Sequence, residues 1–547
     1  MVKEIINSTE ARFALKRGID TLANAVKVTL GPKGKNVLLD KNYSSPHITK
    51  DGVTVATNIM LEDRVENMGC SLLKDIAKKT ADEAGDGTTT SIVLAQALYD
   101  EGLKITERHN FNSIDIQKGM QQASKDIISK LQEMSTPVKT KDDLYNVATV
   151  SSNGDHELAH IISDIVWETG SKGNVIIQDS DNFITYAEYI DGIKFSAGYT
   201  SQAFCTSPQN QLIEYDNPLV LTSVDKISDW KVIERFVKYA AEQKRPLIII
   251  TEELVGSAFA VLAANFKQGN VKVAVVSTPG IAGQRRELLE DISIVTGGKL
   301  FGDSTGYPFH LQTEKSLGTC KAIRINRNDT TFFINDNVKE GIENRIVEIQ
   351  NHAKLNDSNK LIQKKFSDRI ANLKGKVAII KVGFITETEA KEKKDRIDDA
   401  IRACQAAFEE GIIEGSGISY INAVNKLSTP NLNKDELLGY SIVTEAVNSV
   451  FKQVANNCNL NHEVILSNIK LSFIDNITGY NFRTDTYANL KSSGVIDPTK
   501  VLRVALENAV SITCQLLTTE AIVKNKLTEF DMQNINQPKE MVNPMFH

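Results

Sequence analysis

Two short segments, Leu30-Gly31-Pro32-Lys33-Gly34-Lys35-Asn36 and Gly85-Asp86-Gly87-Thr88-Thr89-Thr90, carry the residue types that a nucleoside triphosphate demands. Glycines let the backbone approach anionic oxygens and adopt positive φ. Free N–H groups at the mouth of a following helix favour negative charge. Asp86 adds a hard carboxylate suited to Mg2+, and three hydroxyls follow it. The run Ser91 to Leu98 reads as a helix, which sets the threonines in its first turn. Taken alone, Asp-Gly followed by threonines is also ordinary turn and helix-cap chemistry, and both readings stand at this point. Neither Gly-x-x-x-x-Gly-Lys-Ser/Thr nor a Gly-x-Gly-x-x-Gly after a strand occurs, so an ATP site here needs a different cradle.

Helices must hold these segments. From Phe13 to Leu30 apolar residues recur at Leu15, Ile19, Leu22, Val26 and Leu30, the spacing of an amphipathic helix that Gly31-Pro32 stops. Further helices are predicted over Met68–Ala84 and Ser91–Glu107, and towards the other end over Ile397–Phe408, Tyr440–Val454 and Val501–Leu517. The middle differs. Strand-like runs at Leu247–Ile250, Val271–Val276 and Ala322–Ile325 alternate with helical stretches 231–244, 256–268 and 284–295, which suggests an α/β unit with parallel pairing.

At 547 residues the chain exceeds what one core usually serves, so about two to four domains are expected. Apolar residues at 41% and charged residues at 24% describe a globular protein, and a net charge of −6 with no dense basic run gives no reason to expect nucleic-acid binding. Met1 to Lys16 lacks a secretory apolar stretch and no run of about 18 apolar residues occurs, so the expectation is a cytoplasmic protein without a membrane helix. Cys70, Cys205, Cys320, Cys404, Cys458 and Cys514 lie far apart, which argues against zinc or a disulfide framework and fits a reducing compartment. His156 and His160 stand one helical turn apart without a third ligand nearby in sequence.

Val26-Lys27-Val28-Thr29-Leu30-Gly31-Pro32-Lys33-Gly34-Lys35-Asn36-Val37 resembles group I chaperonins, the 60-kilodalton ring chaperones of bacteria and organelles. So do Ile48–Val53, Leu61-Glu62-Asp63, Glu66–Gly69, Ala84–Thr90, Pro246–Ile250, Arg285-Arg286, Lys391–Lys394, Glu409-Glu410-Gly411 and Asp497–Lys500, all in family order over nearly the whole chain. The resemblance implies an α+β multidomain fold with a mainly helical equatorial domain (1–133 and 410–547), an intermediate hinge domain (134–190 and 377–409) and an α/β apical domain inserted in the middle (191–376). Gly192, Gly375 and Gly411 stand near three of these junctions, where backbone freedom would serve hinges. The polar tail from about 525 is expected to be disordered and lacks the family's Gly-Gly-Met repeats.

The same resemblance implies an ATPase that uses ATP, Mg2+ and K+. Thr29, Leu30, Gly31 and Pro32 would surround the α and β phosphates, with Asp86 as the Mg2+ ligand. Gly87, Thr88, Thr89 and Thr90 would donate to phosphate oxygens, and Lys50, Thr29 and Thr89 would lie near the monovalent cation. Ser416, Asn481, Phe482, Arg483 and Asp497 would contact the adenosine, although Gly415-Ser416-Gly417 departs from the family's triple glycine. The matching catalytic carboxylates are Asp51 and Asp399. Spacing alone gives Asp399 a different reading, a solvated position off the apolar stripe Ile397-Ile401-Cys404-Phe408.

Non-native polypeptides and a co-chaperonin lid are the implied partners. Trp230 to Ala241 carries Val232, Phe236, Tyr239 and Ala240 on one side and Ile233 and Val237 on another, so one stripe is expected to pack inward while the other stays available. The family's matching positions are Tyr199, Ser201, Ala203, Phe204, Glu234, Val237, Phe259, Ala263, Ala264 and Asn265, of which Ala203, Glu234, Ala263 and Ala264 replace larger apolar residues. The implied assembly is a homo-oligomer of seven-membered rings, usually two stacked. Departures at Glu107-Arg108 and Asn461 leave a single ring open, and Ala197 removes one partner of an inter-subunit latch to Glu387. A nucleotide-binding ring scaffold or holdase with little turnover is the second reading. An unrelated kinase is the third, without any catalytic-loop signature to support it.

Overall fold

The computed structural model describes residues 3–40, 46–108, 112–171, 173–180, 182–207, 211–280, 284–355, 360–428, 430–471 and 477–525. It contains two compact units, residues 1–167 with 384–547, and residues 168–383. The tail from about 525, expected to be disordered, lies outside the described residues.

The first unit begins with β1 (Lys3–Asn7) and α1 (Ser8–Val26), whose Leu15, Ile19, Leu22 and Val26 are buried as their spacing predicts. A single 3-10 turn (Lys27–Thr29) and the hairpin β2 (Val37–Leu39) and β3 (His47–Thr49) lead to α2 (Gly52–Asn58) and α3 (Arg64–Ala84). Asp51 and Asp63 are the N-caps of α2 and α3, each accepting two backbone N–H groups. Next come α4 (Thr88–Arg108), α5 (Ser113–Met134), α6 (Lys141–Ser151) and α7 (His156–Thr169).

The chain then builds the second unit. Its order is β4 (Asn174–Asp179), β5 (Tyr186–Phe195), β6 (Ile213–Asp216), β7 (Leu219–Ser223), α8 (Trp230–Glu242), β8 (Leu247–Thr251), α9 (Gly256–Lys267), β9 (Val273–Ser277) and α10 (Arg285–Thr296). There follow β10 (Leu300–Phe301), β11 (Gly318–Thr319), β12 (Ala322–Ile325), β13 (Thr330–Phe333), α11 (Lys339–Leu355), α12 (Lys360–Leu373) and β14 (Lys376–Val382). The expected parallel pairing is present in the order β10-β7-β8-β9, with Leu221 opposite Ile249 and Ile249 opposite Val275. These strands are buried up to the half-buried Ser277 at the end of β9, because helices can cover both faces of a parallel sheet. A second sheet, β4-β14-β5-β13-β12-β6, is antiparallel except for β4 with β14 and was not anticipated. Gly192, a predicted hinge glycine, sits inside β5 opposite Phe333, where a Cβ would lie 2.5 Å from Val377 Cγ2; it serves packing in a strand.

The return to the first unit runs through α13 (Glu387–Glu410), β15 (Ile412–Glu414), α14 (Ile418–Asn425), α15 (Lys434–Ala446), α16 (Asn448–Asn457) and α17 (His462–Leu471). It ends with β16 (Gly479–Asn481), β17 (Thr486–Ala488), β18 (Ile496–Pro498), α18 (Thr499–Leu517) and β19 (Ala521–Asn525). The helix predicted over Tyr440–Val454 is two helices, α15 and α16, which meet at Val447. Both chain ends share one core: Ile19, Leu73, Leu94 and Leu98 pack in the same cluster as Val443, Leu502, Leu506 and Val510. β1 and β19 close it in antiparallel register, Ile5 opposite Val523.

Candidate active site in the first unit

A cavity of about 730 Å3 opens in the first unit, a size typical of small-ligand sites. Its floor is the junction between α3 and α4. Gly85 ends α3 at φ +77, Asp86 follows, and Gly87 at φ +83 turns the chain into Thr88, the first residue of α4. At Gly87 a Cβ would lie 2.6 Å from Val501 Cγ1, so both the positive φ and the packing demand glycine. The first N–H groups of α4 have no helical acceptor and face an anion-favouring helix end.

The second wall is the segment after α1. Gly31 takes φ +86, and the Asn457 side chain donates to the carbonyls of Lys27 and Leu30, both at 2.8 Å, tying this loop to α16. The Thr29 hydroxyl donates to Val26 O at 2.9 Å and lies 3.3 Å from Thr89 Oγ1, which joins the two cradle segments. Lys33 turns outward to Asp485 at 2.7 Å.

The other walls come from the far end of the chain. Thr29, Leu30, Gly31, Pro32, Lys50, Asp51, Asp86, Gly87, Thr88, Thr89, Thr90, Asp399, Ser416, Asn481, Phe482, Arg483 and Asp497 all border this one cavity. The ring of Phe482 is turned away into a cluster with Phe451 and Tyr480. Ser416 holds φ +64, a left-handed conformation that costs a side-chain-bearing residue energy. Asp51 is engaged as the cap of α2: Oδ1 accepts from Val53 N at 3.1 Å, and Oδ2 accepts from Thr54 N at 2.9 Å and the Thr54 hydroxyl at 2.6 Å.

Carboxylates crowd this space, and of the cations that border it Arg402 pairs with Asp398 and Arg396 with Asp155 and Glu392. Burial, then the charges of Asp86 and Asp51, push Asp399 well above the usual carboxylate range. Burial and the charge of Asp86 raise Asp497 to about 7. Asp86 itself is raised, chiefly by burial. Such a set is relieved by a bound cation, and carboxylate with hydroxyl donors suits Mg2+. Among the described residues no three His, Cys, Asp or Glu side chains form a metal cage. His156 and His160 form no such cage either: the Tyr145 hydroxyl bonds His156 Nδ1 at 2.7 Å and its ring stacks on His160.

Sequence reasoning missed Asp395, which borders the same cavity and whose carboxyl is raised to about 6 by burial and the charge of Asp51. Its signal was available: it lies four residues before Asp399 and therefore on the same face of α13. Asn146 and Ser151 on α6 were also missed, and the Ser151 hydroxyl donates to Asp86 Oδ2 at 3.4 Å.

The residues expected to meet polypeptide lie in the second unit, and there the structure corrects one expectation. Ile233 and Val237 are 0% and 5% exposed, in one stripe with Phe236 and Ala240. Positions i, i+3, i+4 and i+7 form a single helix face, so the two supposed stripes are one, and it covers the core of the unit. Phe204 is also buried, edge-on to Phe259 and Phe266. Tyr199, Ser201, Phe259, Ala263 and Asn265 are half-buried, and Ala203 and Ala264 are exposed. Glu234 pairs with Lys238 at 2.8 Å.

A family model described as the TCP-1/cpn60 chaperonin family matches residues 22–527. Among solved structures the chain is similar to the chaperonin gp146 from the bacteriophage EL 2 (Pseudomonas aeruginosa), crystallised in the presence of ATP-BeFx. Crystal form II gives a TM-score of 0.72 at 23% identity, covering 96% of this chain and 99% of that one. Crystal form I gives 0.66 at 22% identity with the same coverage.

Proposed function

The chain belongs to the TCP-1/cpn60 chaperonin family, and on that premise we propose that it is an ATP-driven chaperone whose nucleotide occupies the cavity of the first unit. The observation that carries this reading is the convergence, on one cavity, of two glycine-bearing turns, a helix N-terminus and unpaired carboxylates from both ends of the chain. The backbone N–H groups of Thr88, Thr89 and Thr90 and the loop at Gly31 bind the phosphates, and Ser416, Asn481, Arg483 and Asp497 bind the adenosine. Asp86 holds Mg2+, which supplies charge neutralisation on the phosphates; Lys50, Thr29 and Thr89 border the place for K+. Phosphoryl transfer to water then depends on positioning, and Asp399 orients the water and accepts its proton.

Asp51 caps α2 at the edge of the site, and with one acceptor position of Oδ1 still open it is the second catalytic carboxylate beside Asp399. Asp399 belongs to the proposed hinge (134–190 and 377–409) and the phosphate turns to the proposed equatorial domain. Hydrolysis therefore requires the hinge to be closed, and nucleotide selects that closed state. Non-native polypeptides are captured by the half-buried apolar margin of α8 and α9, with Phe259, Ala263 and Ala264 at its centre, in a homo-oligomeric ring of seven subunits. The trimmed side chains at Ala203, Ala263 and Ala264 give weaker capture per subunit, which a ring offsets by multivalency.

The decisive experiment is the refolding of a denatured test protein by the purified chain with ATP, with ADP and without nucleotide, with subunits counted by electron microscopy. ATP-dependent recovery by a ring is expected. A ring that holds the test protein equally under all three conditions is a holdase, and the folding reading falls.

A further inference from the structure

In phosphoryl transfer the negative charge spreads over the equatorial oxygens of the γ-phosphoryl group, and a guanidinium can meet two of them at once with parallel N–H bonds. On the ATPase reading above, on which this inference rests, Asp51 and Asp399 serve the water and Asp86 holds the metal. A side chain that brings positive charge to the γ-oxygens is still unassigned.

The lysines and arginines that border the cavity are Lys50, Arg396, Arg402 and Arg483. Lys50 borders the place for K+, and Arg396 is taken by Asp155 and Glu392. Arg483 lies against the turn between α6 and α7, where a Cβ on Gly154 would overlap its guanidinium. Arg402 is placed differently. It stands three residues after Asp399 and seven after Asp395, on the side of α13 that borders the cavity. Its stem crosses Gly85, where a Cβ would overlap Arg402 Cβ and lie 2.7 Å from Cδ. Glycine at 85 therefore answers both to φ +77 and to the passage of this arginine. The next residue is Asp86 and α4 begins at Thr88, so Arg402 rests on the turn that presents the N–H groups of the helix mouth.

Arg402 is only loosely held. Its Nε lies 2.8 Å from Asp398 Oδ2, one turn earlier on the same helix, and the two side chains are 46% and 47% exposed. Solvated pairs of this kind contribute little and exchange readily. The terminal nitrogens make no hydrogen bond among the described residues. A phosphate group with several charged oxygens is a stronger partner for a planar fork than one solvated carboxylate.

We propose that Arg402 is an arginine finger supplied by the chain's own α13: with ATP bound, it leaves Asp398 and donates from its terminal nitrogens to the γ-phosphoryl oxygens. In the step, the water oxygen bonds the γ-phosphorus. The bond from that phosphorus to the β,γ-bridging oxygen breaks, and its electron pair leaves with ADP. One water proton passes to Asp399, and the O–H accepted by Asp51 stays with inorganic phosphate. Arg402 gives up no proton and acts by its charge and its fork. Because α13 carries both Asp399 and Arg402, the proton acceptor and the cation reach the phosphates together.

The test compares Arg402→Ala, Arg402→Lys and Asp398→Asn in the full chain. It measures single-turnover phosphate release and, with Mg2+, the Kd of ADP alone and of ADP with aluminium fluoride, a mimic of the group in transfer. Arg402→Ala is expected to slow release about 100- to 1,000-fold, the scale for losing one donor to a developing charge. Its Kd for ADP should stay within about two-fold, while the aluminium fluoride complex loses most of its extra affinity, as for an interaction made only in the transition state. Arg402→Lys, which keeps the charge without the fork, should fall between Arg402→Ala and the unaltered chain. Asp398→Asn, which frees the arginine, should release phosphate at least as fast as the unaltered chain. A rate for Arg402→Ala within two-fold of the unaltered chain overturns the assignment. So does an equal loss of affinity for ADP and for its aluminium fluoride complex, or a loss of rate in Asp398→Asn as large as in Arg402→Ala, which would make the pair architectural. If the unaltered chain binds ADP but releases no phosphate from ATP, the ATPase reading itself falls and takes this assignment with it.

Discussion

The cavity of the first unit and the α8–α9 surface of the second are built on opposite principles. The cavity is assembled from backbone geometry that few residues permit: Gly85, Gly87 and Gly31 at positive φ, a helix N-terminus, and a cluster of carboxylates raised by burial and mutual charge. The α8–α9 surface is the margin of an ordinary core. Its largest apolar groups, Phe204, Ile233, Phe236 and Val237, are consumed in packing, and only smaller or half-buried ones remain outside. A site for chemistry has to be stabilised by its scaffold despite its strain and its charges; a site for adhesion needs only what the core leaves uncovered.

The sharpest way to break this contrast is to remove the acid that serves no structural purpose. Asp399 makes no hydrogen bond or ion pair among the described residues, so Asp399→Ala should leave folding and nucleotide affinity intact. Phosphate release should slow by about 10²- to 10⁴-fold, the usual contribution of a positioned base. Equilibrium binding and single-turnover kinetics on one preparation separate the two effects. A variant that fails to bind nucleotide would move Asp399 from chemistry to architecture.

A second test uses charge. Asp497 is raised to about 7 and Asp395 to about 6, both above the ordinary carboxylate value. A carboxyl with a raised folded-state pKa binds its proton more tightly folded than unfolded. Its protonated form is therefore the stable one, and stability falls as pH climbs from about 4 through about 7. Without nucleotide and Mg2+, the unfolding free energy of the first unit should drop between pH 5 and pH 7.5, by a few kcal/mol at most once the partial exposure of Asp395 is discounted, and the unfolding midpoint should fall with it. Asp497→Asn should flatten that slope, and Mg2+ with nucleotide should restore stability at the higher pH. A midpoint that rises with pH would contradict the carboxylate crowding on which the cation requirement rests.

The contrast also explains what could be read from the sequence. Gly31, Gly85-Asp86-Gly87 and the threonines were legible because each short string has a local reason: a turn, a cap, a helix mouth. The parallel strands were legible as continuous apolar runs, Leu247–Ile250 among them. Asp399 required a family resemblance, since a carboxylate off the apolar stripe of a helix reads the same whether it faces bulk water or a cavity. Asp395 was passed over for that reason, with only its four-residue offset from Asp399 to mark it. On α8 the failure has another cause. Grouping Ile233 with Val237, apart from Phe236 and Ala240, divided what 3.6-residue geometry makes one face.

That correction yields a paired test on the second unit. Val237→Ser buries a hydroxyl and leaves a void, and should cost about 2 to 3 kcal/mol in urea unfolding of that unit. Ala264→Ser lies on an exposed position and should change stability by less than about 0.5 kcal/mol. Capture of a denatured test protein by the folded variants should follow the opposite order, with Ala264→Ser losing more than Val237→Ser. Equal stability of the two variants would mean that Val237 is accessible after all.

The smallest expected effect bears on the most exact feature of the cavity wall. Ser416 sits at φ +64, next to Gly417 at φ +77, and its N–H bonds Asp497. An L-residue in that region is strained by roughly 1 to 2 kcal/mol, part of which glycine returns to the unfolded chain as entropy. Ser416→Gly should therefore stabilise the first unit by about 0.5 to 1 kcal/mol. Ser416→Ala keeps the strain and removes the hydroxyl, which separates the two contributions of the serine. If both variants weaken nucleotide binding equally, the hydroxyl touches the ligand and the strain is the cost of placing it there. If Ser416→Gly gains stability and neither variant changes affinity, the serine is a tolerated departure, and the geometry of the wall belongs to the backbone alone.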